Sequence, residues 1–209
     1  MRAGARKLNA VTASRAGAGV VRRDGVDGVT MRSVAAAAGV TPMALYRCFD
    51  SGADLRRASV SAALVRVPNP PTEGSPEARL RAWAQTARRR LRNTPGLAAA
   101  CLMDWPAMSE GCRMMEGLLV VAAAHTENPW EQVAIANEVF VYAVTRAQAE
   151  HAVLARRNQR RLPAVEARPR HFPRLAMMQA EYHSIDTDRH FDMGLAALLR
   201  GLLVDESAS

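Results

Sequence analysis

The residues with the clearest chemical use lie between positions 30 and 49. Thr41, Pro42, Met43 and Ala44 stand in a row two residues after Gly39, and Tyr46 and Arg47 follow within one helical turn. If the row opens a helix, these four side chains project from its N-terminus, the end that enters a DNA major groove in a helix-turn-helix. Met43 would offer an apolar contact suited to a thymine methyl. The phenol of Tyr46 and the guanidinium of Arg47 suit phosphate oxygens. Arg32 and Ser33, on a preceding helix opened by Thr30, are placed to touch the flanking backbone. The chemistry implied is recognition of duplex DNA, not turnover of a substrate.

Catalytic patterns are missing from the rest. There is no glycine-rich phosphate loop, no HExxH, no nucleophile elbow and no pair of carboxylates at a telling spacing. Cys48, Cys101 and Cys112 form no CxxC pair and are odd in number, which argues against a disulfide framework and a zinc site. The expectation is a protein that is not an enzyme and needs neither metal nor cofactor. No apolar run reaches the ~18 residues of a membrane-spanning helix. The first residues, MRAGARKLNAV, lack the apolar centre of a secretory signal, so a cytoplasmic location is expected.

Charge supports the DNA reading. Residues 1–66 hold eleven Lys/Arg against four Asp, a net +7, whereas residues 67–209 hold seventeen basic and sixteen acidic residues, a net +1. Nearly all the excess of +8 thus sits in the first third, as on a polyanion-binding head joined to a neutral body. A solvated N-terminus, or a head that packages DNA without sequence preference, would carry the same charge.

These residues need elements to hold them. Thr30 suits an N-cap, Gly39 the left-handed residue after a helix, and Thr41-Pro42 the cap and first turn of a helix over Thr41–Cys48. Ala35, Gly39 and Leu45 then occupy the three places such a pair of helices restricts most: close crossing, sharp turn and filled angle. Leu45 and Phe49 face inward. An ordinary αα-hairpin with a glycine turn would share this spacing. Upstream, a first helix over roughly Leu8–Asp24 would bury Ala13, Ala16, Gly17, Val20 and Val21, a small face weakened by Gly17 and Gly19 at ~1 kcal/mol each.

Val67–Pro76, with four prolines and a glycine, breaks the chain and sets domains at 1–66 and 67–209. Beyond it the pattern is helical. Glu77–Asn93 aligns Leu80, Trp83, Ala84, Ala87 and Leu91 on one face, with most of its arginines elsewhere. Asn128-Pro129-Trp130-Glu131 opens a helix through Phe140 towards Val153, with Asn128 as cap and Glu131 reaching back. Arg156–Pro173 reads as a loop. Asp188 caps a last helix carrying Phe191, Leu195, Leu198, Leu199 and Leu202. No segment alternates with period two, so the fold class is all-α.

The stretch Asp24–Phe49 resembles the DNA-binding signature of the tetracycline-repressor (TetR) family. Its marks stand here as Gly25, Thr30, Ala38-Gly39-Val40, Thr41, Leu45-Tyr46 and Phe49, and Phe191–Leu202 is similar to the last helix of many members. Gly52 departs from the pattern, falling where the family often has a lysine close to a phosphate. The resemblance implies a three-helix head and a larger helical body that dimerises and holds an inducer. It favours a repressor of a palindromic operator, released by a small apolar ligand. A regulator answering to a protein partner, or an all-α enzyme without a recognisable motif, are the alternatives.

For the ligand the candidates are Met103, Trp105, Met108, Met114, Phe140 and Met177, with Arg146 and Gln148 as polar groups. Methionine adapts its shape to a greasy ligand, and it serves equally as core filler. A homodimer follows from the motif, which commonly reads half-sites about 34–36 Å apart across a two-fold axis. The helix from Pro129 and the last helix are its expected interface.

Overall fold

The computed structural model describes residues 8–158, 172–178 and 186–204. Among them every regular element is helical: α1 Ala10–Asp24, α2 Met31–Ala38, α3 Pro42–Leu45 and α4 Gly52–Leu64 form the head. The body holds α5 Pro76–Leu91, α6 Leu97–Asp104, α7 Ser109–Ala123, α8 Pro129–Asn158, α9 Pro173–Met177 and α10 Thr187–Leu202.

In the head, α1 and α4 cross closely over a core of Ala13, Val20, Val21, Leu55 and Val60, with Val34 and Leu45 closing it from α2 and α3. Asn9 opens α1 through a reciprocal cap: its side chain accepts from Thr12 N at 2.8 Å, and Thr12 Oγ1 accepts from Asn9 N at 3.0 Å. That cap places the helix start at Ala10, two residues later than the apolar pattern suggests. Gly17 is buried where the helices meet. A Cβ there would lie 2.6 Å from Ser59 Cβ, so this glycine is a condition of close packing. Gly19 has open space, with only Arg22 Nη2 at 3.8 Å from such a Cβ, and it alone carries an avoidable helix penalty.

The proline-rich break is strapped to the body. Trp83 Nε1 donates to Pro68 O at 3.1 Å, Arg79 Nε to Pro71 O at 2.6 Å, and Arg113 Nη2 to Val67 O at 2.7 Å. Pro70 packs on Gly117, where a Cβ would come within 2.8 Å of its Cδ. Prolines free the carbonyls of this segment from any helix, and three long side chains collect them.

Inside the body Trp83, Phe140, Met108, Met114 and Leu118 are fully buried, with Phe140 centred 6.3 Å from the Trp83 ring and 5.8 Å from that of Trp105. Arg88 of α5 is also buried, and it joins Glu150 of α8 and Asp188 of α10. The Arg88 and Arg92 guanidiniums bonded to it hold the Asp188 carboxyl below its ordinary range. Cys48, Cys101 and Cys112 are free, and burial pushes the Cys101 thiol up to about 12.

Several boundaries differ from the sequence expectation. α8 continues to Asn158, past the start assigned to a loop at Arg156, and Pro173 opens the short α9. The remainder of that expected loop, 159–171, lies outside the described residues. The cap of α10 is Asp186, not Asp188: its carboxylate accepts from Asp188 N at 2.9 Å and Arg189 N at 3.1 Å. Two aspartates two residues apart give a sequence reading no means of choosing between them. At α8, Asn128 caps Trp130 N at 3.0 Å, and Glu131 accepts from the Asn128 side chain and not from its backbone.

Candidate nucleic-acid interface

The reading surface begins with two caps. Thr30 and Ser33 form a closed reciprocal box at the start of α2: Ser33 N donates to Thr30 Oγ1 at 3.0 Å, and Thr30 N to Ser33 Oγ at 2.9 Å. Ser33 Oγ also donates to Gly28 O at 2.7 Å. These two hydroxyls are therefore spent inside the head. They position α2, on which Arg32 and Ser33 stand. Arg32, between them, is exposed and has no partner among the described residues.

Gly39 ends α2 in the left-handed region at φ 69°, and its N–H bonds back to Ala36 O. The chain turns at once into α3. Val34, Ala35 and Leu45 are buried at the crossing, which holds α3 rigidly against α2. Thr41 is exposed and precedes Pro42 without a side-chain cap bond, while its carbonyl accepts from Ala44 N at 3.0 Å. The α-helix proper is a single turn, Pro42–Leu45, shorter than the expected Thr41–Cys48. Tyr46–Cys48 continue it in a tighter turn, with Cys48 N bonded to Leu45 O at 2.8 Å.

On that short platform the side chains separate by face. Met43 is 72% exposed and Tyr46 52% exposed, while Thr41, Pro42 and Arg47 also face solvent. Ala44 is half-buried, presenting one edge. No described residue pairs with Arg47. The apolar tip of Met43, the hydroxyl-bearing Thr41 and Tyr46 and the Arg47 guanidinium are thus exposed within one short stretch, and Arg32 on the preceding helix is exposed as well. Such a surface can enter a groove and grip phosphates on either side.

α4 adds a further helix start. Ser51 caps it, accepting from Asp54 N at 3.1 Å, a signal legible in the sequence as Ser followed three residues later by Asp. A Cβ on Gly52 would meet nothing within 4 Å. The open position has room for a long cation, so Gly52→Lys should tighten binding to any duplex several-fold, with a salt dependence steeper by about one charge. Fluorescence anisotropy at three salt concentrations reads both; unchanged slope would place residue 52 away from phosphate.

The residues expected to enclose a ligand are divided between surface and core. Met103 and Met177 are 76% and 73% exposed, and Gln148 also faces solvent. Met114 and Phe140 are core, Trp105 leans on Phe140, and Arg146 Nη2 lies 3.1 Å from His190 Nδ1. Met108 borders a cleft of about 660 Å³ between α1 and α4 of the head and the start of α7. Methionine on an apolar stripe looks the same in sequence whether it fills a core, lines a cavity or lies on the surface.

This architecture has counterparts. Residues 15–59 match the family described as bacterial regulatory proteins, tetR family, and residues 67–205 match the tetracyclin repressor-like C-terminal domain. The chain belongs to the TetR family. As a TetR-family transcriptional regulator it carries an N-terminal helix-turn-helix DNA-binding domain and a C-terminal ligand-binding domain. ActR of Streptomyces coelicolor, solved in complex with (S)-DNPA, has a similar fold: TM-score 0.76 at 20% identity, covering 95% of this chain and 98% of that one. BioQ of Mycobacterium smegmatis gives 0.71 at 21% identity over 94% and 98%. BioQ with its double-stranded DNA operator gives 0.68 at 18% identity over 95% and 100%. Comparison with curated sequences gives no match. Among the described residues of this TetR-family chain no helix is long and apolar enough to cross a membrane.

Proposed function

We propose that this TetR-family protein is a homodimeric repressor that holds a palindromic operator and leaves it when a small apolar ligand enters the body. The observation that carries the DNA half is the exposed surface at α3, where Met43, Tyr46 and Arg47 face solvent while Leu45 is buried beneath them. Thr41, Pro42, Met43 and Ala44 read base edges, and Tyr46, Arg47 and Arg32 grip phosphate. The head is residues 1–66 and the effector body residues 67–209.

The dimer reading is supported by apolar side chains left in solvent on α8 and α10: Trp130 and Val133 on one, Met193 on the other. Their burial against a second copy would remove the chain's most exposed tryptophan from water. The ligand reading is supported by how the body meets the head. Ser61 of α4 hydrogen-bonds Ser109 Oγ at 3.2 Å and accepts from Glu110 N at 3.3 Å. Val26 N, just after α1, donates to Pro95 O at 3.0 Å, and Gly25 and Gly96 admit that close contact. A ligand wedged among Trp83, Trp105, Met108 and Phe140 would displace the start of α7, and with it Ser109 and α4. Differential affinity for the two head positions is what such a ligand must supply.

The test is a pair of variants on duplexes selected from a random pool by the purified protein. Arg47→Ala lowers affinity about tenfold on every duplex and reduces the salt slope, because a phosphate carries no sequence. Met43→Ala changes which bases are preferred while leaving non-specific binding intact. Equal affinity of Arg47→Ala and the parent protein would refute the placement of α3 on DNA.

A further inference from the structure

The arginine run Arg88-Arg89-Arg90 and Arg92 of α5 splits in two. Arg88 and Arg92 turn inward to Glu150 and Asp188. Arg89 and Arg90 turn the other way, into a cleft of about 630 Å³ between head and body. Arg22 from the end of α1 and Arg66 from just past α4 line the same cleft. Four guanidiniums therefore border one concavity, and no carboxylate lies among the residues lining it.

That arrangement is unlike this chain's structural arginines. Arg23, Arg56, Arg57, Arg81, Arg88, Arg92 and Arg113 each have an acid within 4 Å. Among the described residues, Arg89 alone of the cleft's four has a hydrogen-bond partner, donating to the Thr86 hydroxyl at 3.1 Å. Like charges gathered around one opening repel one another, a cost that an anion between them would reverse. Thr94 and Asn93 on the rim add polar groups suited to phosphate oxygens, and the planar guanidinium fork matches phosphate in two-point contact. The floor, Ala63, Val67 and Leu97, is apolar and buried.

The cleft is not an extension of the DNA surface. It lies at the C-terminal end of α4, whereas Gly52 begins that helix, and thirteen residues of α-helix span about 20 Å. Two of its arginines belong to the body helix α5. An occupant would bridge Arg22 and Arg66 of the head to Arg89 and Arg90 of the body, and so bias the angle between them.

We propose that this cleft is a second effector site, for an organic polyphosphate of nucleotide size. Four positive charges call for more than one phosphate group, and the volume falls in the range of small-molecule pockets. The site is separate from the apolar interior assigned to the inducer, and its occupancy does not depend on that assignment.

Titration calorimetry on the full-length protein tests it, with ATP and pyrophosphate as probes and sodium chloride at matched ionic strength as control. The expected result is saturable binding of ATP to one site per chain, and none attributable to chloride. Arg89→Gln/Arg90→Gln should weaken ATP at least about tenfold, each lost guanidinium removing a charge-assisted contact. Arg22→Gln/Arg66→Gln should weaken it similarly, because the head contributes half of the charge. Both double variants alter exposed side chains, and far-ultraviolet circular dichroism verifies their helices. ATP should also change the parent protein's affinity for its selected duplex and leave that of Arg89→Gln/Arg90→Gln unchanged. No ATP binding beyond the chloride control overturns the proposal, as does equal ATP binding by the α5 double variant. Weakened duplex binding by that variant without ATP also overturns it, since its arginines would then serve DNA.

Discussion

Arg88→Ala should destabilise the body by about 3–5 kcal/mol, the cost of stranding a buried charge. The side chain is 3% exposed, and its Nε lies 2.8 Å from both oxygens of Glu150, itself 4% exposed. Its Nη2 reaches Asp188 at 2.6 Å, and its guanidinium stacks 4.5 Å from the centre of the Phe191 ring. Truncation removes all of these at once and leaves Glu150 with Arg92 alone, at 3.4 Å. In a chain of this size the loss corresponds to a fall in melting temperature of roughly 10 °C. Adding Glu150→Leu should recover much of it, since an apolar pair can replace a buried ion pair without penalty. Asp188 contributes little by itself, because its side chain is two-thirds exposed and screened. A loss under about 1 kcal/mol, with no rescue by Glu150→Leu, would show that water reaches this network and weakens it to surface strength.

The second large effect belongs to the head. Gly17→Val should cost about 3 kcal/mol or more, since the new branched side chain must fit where Ser59 Cβ already stands 2.6 Å from the site of a Cβ and Ser59 Cα 3.5 Å. Ser59 cannot swing aside freely, because its hydroxyl donates to Leu55 O at 2.7 Å inside the core. The α1 and α4 helices would part, and α1 supports the helices that carry the reading surface. Duplex binding should fall with the head, while the body keeps its own unfolding transition. Gly17→Ala combined with Ser59→Gly should fold, as the methyl then occupies vacated space. Gly19→Ala, in open space, should instead raise stability by about 1 kcal/mol. Circular dichroism melts of the four proteins distinguish these outcomes; a Gly17→Val protein that melts like its parent would contradict the close crossing.

Those two glycines also show what a sequence can and cannot convey. Both look like helix weaknesses along α1, and only the approach of Ser59 from 42 positions away makes one of them indispensable. Local signals were legible wherever the physics is local. Thr30, Gly39 and Thr41-Pro42 set the motif's boundaries, and Leu45 its inner face, because caps, a left-handed turn and a buried aliphatic act within a few residues. Met43, Tyr46 and Arg47 were legible from the motif's docking geometry and their place on its second helix. The hydroxyl of Ser33 also bonds Thr30 N and Gly28 O, an exchange that spacing can suggest but only geometry decides. The ligand candidates divide between core and surface for a related reason. Helical period places Met103 and Met114 on apolar faces, yet whether a face meets solvent or other helices depends on the crossing of α6, α7 and α8. The same holds for the arginines at the end of α5, where one face of the helix meets a buried carboxylate and the opposite face an open cleft.

The central claim is that α3 reads a two-fold operator, and selection of duplexes from a random pool by the full-length protein tests it most directly. The expected result is enrichment of inverted half-sites whose centres lie one helical turn or a multiple apart, with the preferred bases shifting in Met43→Ala. Recovery of duplexes without inverted symmetry, or of no sequence preference at fixed salt, would contradict it.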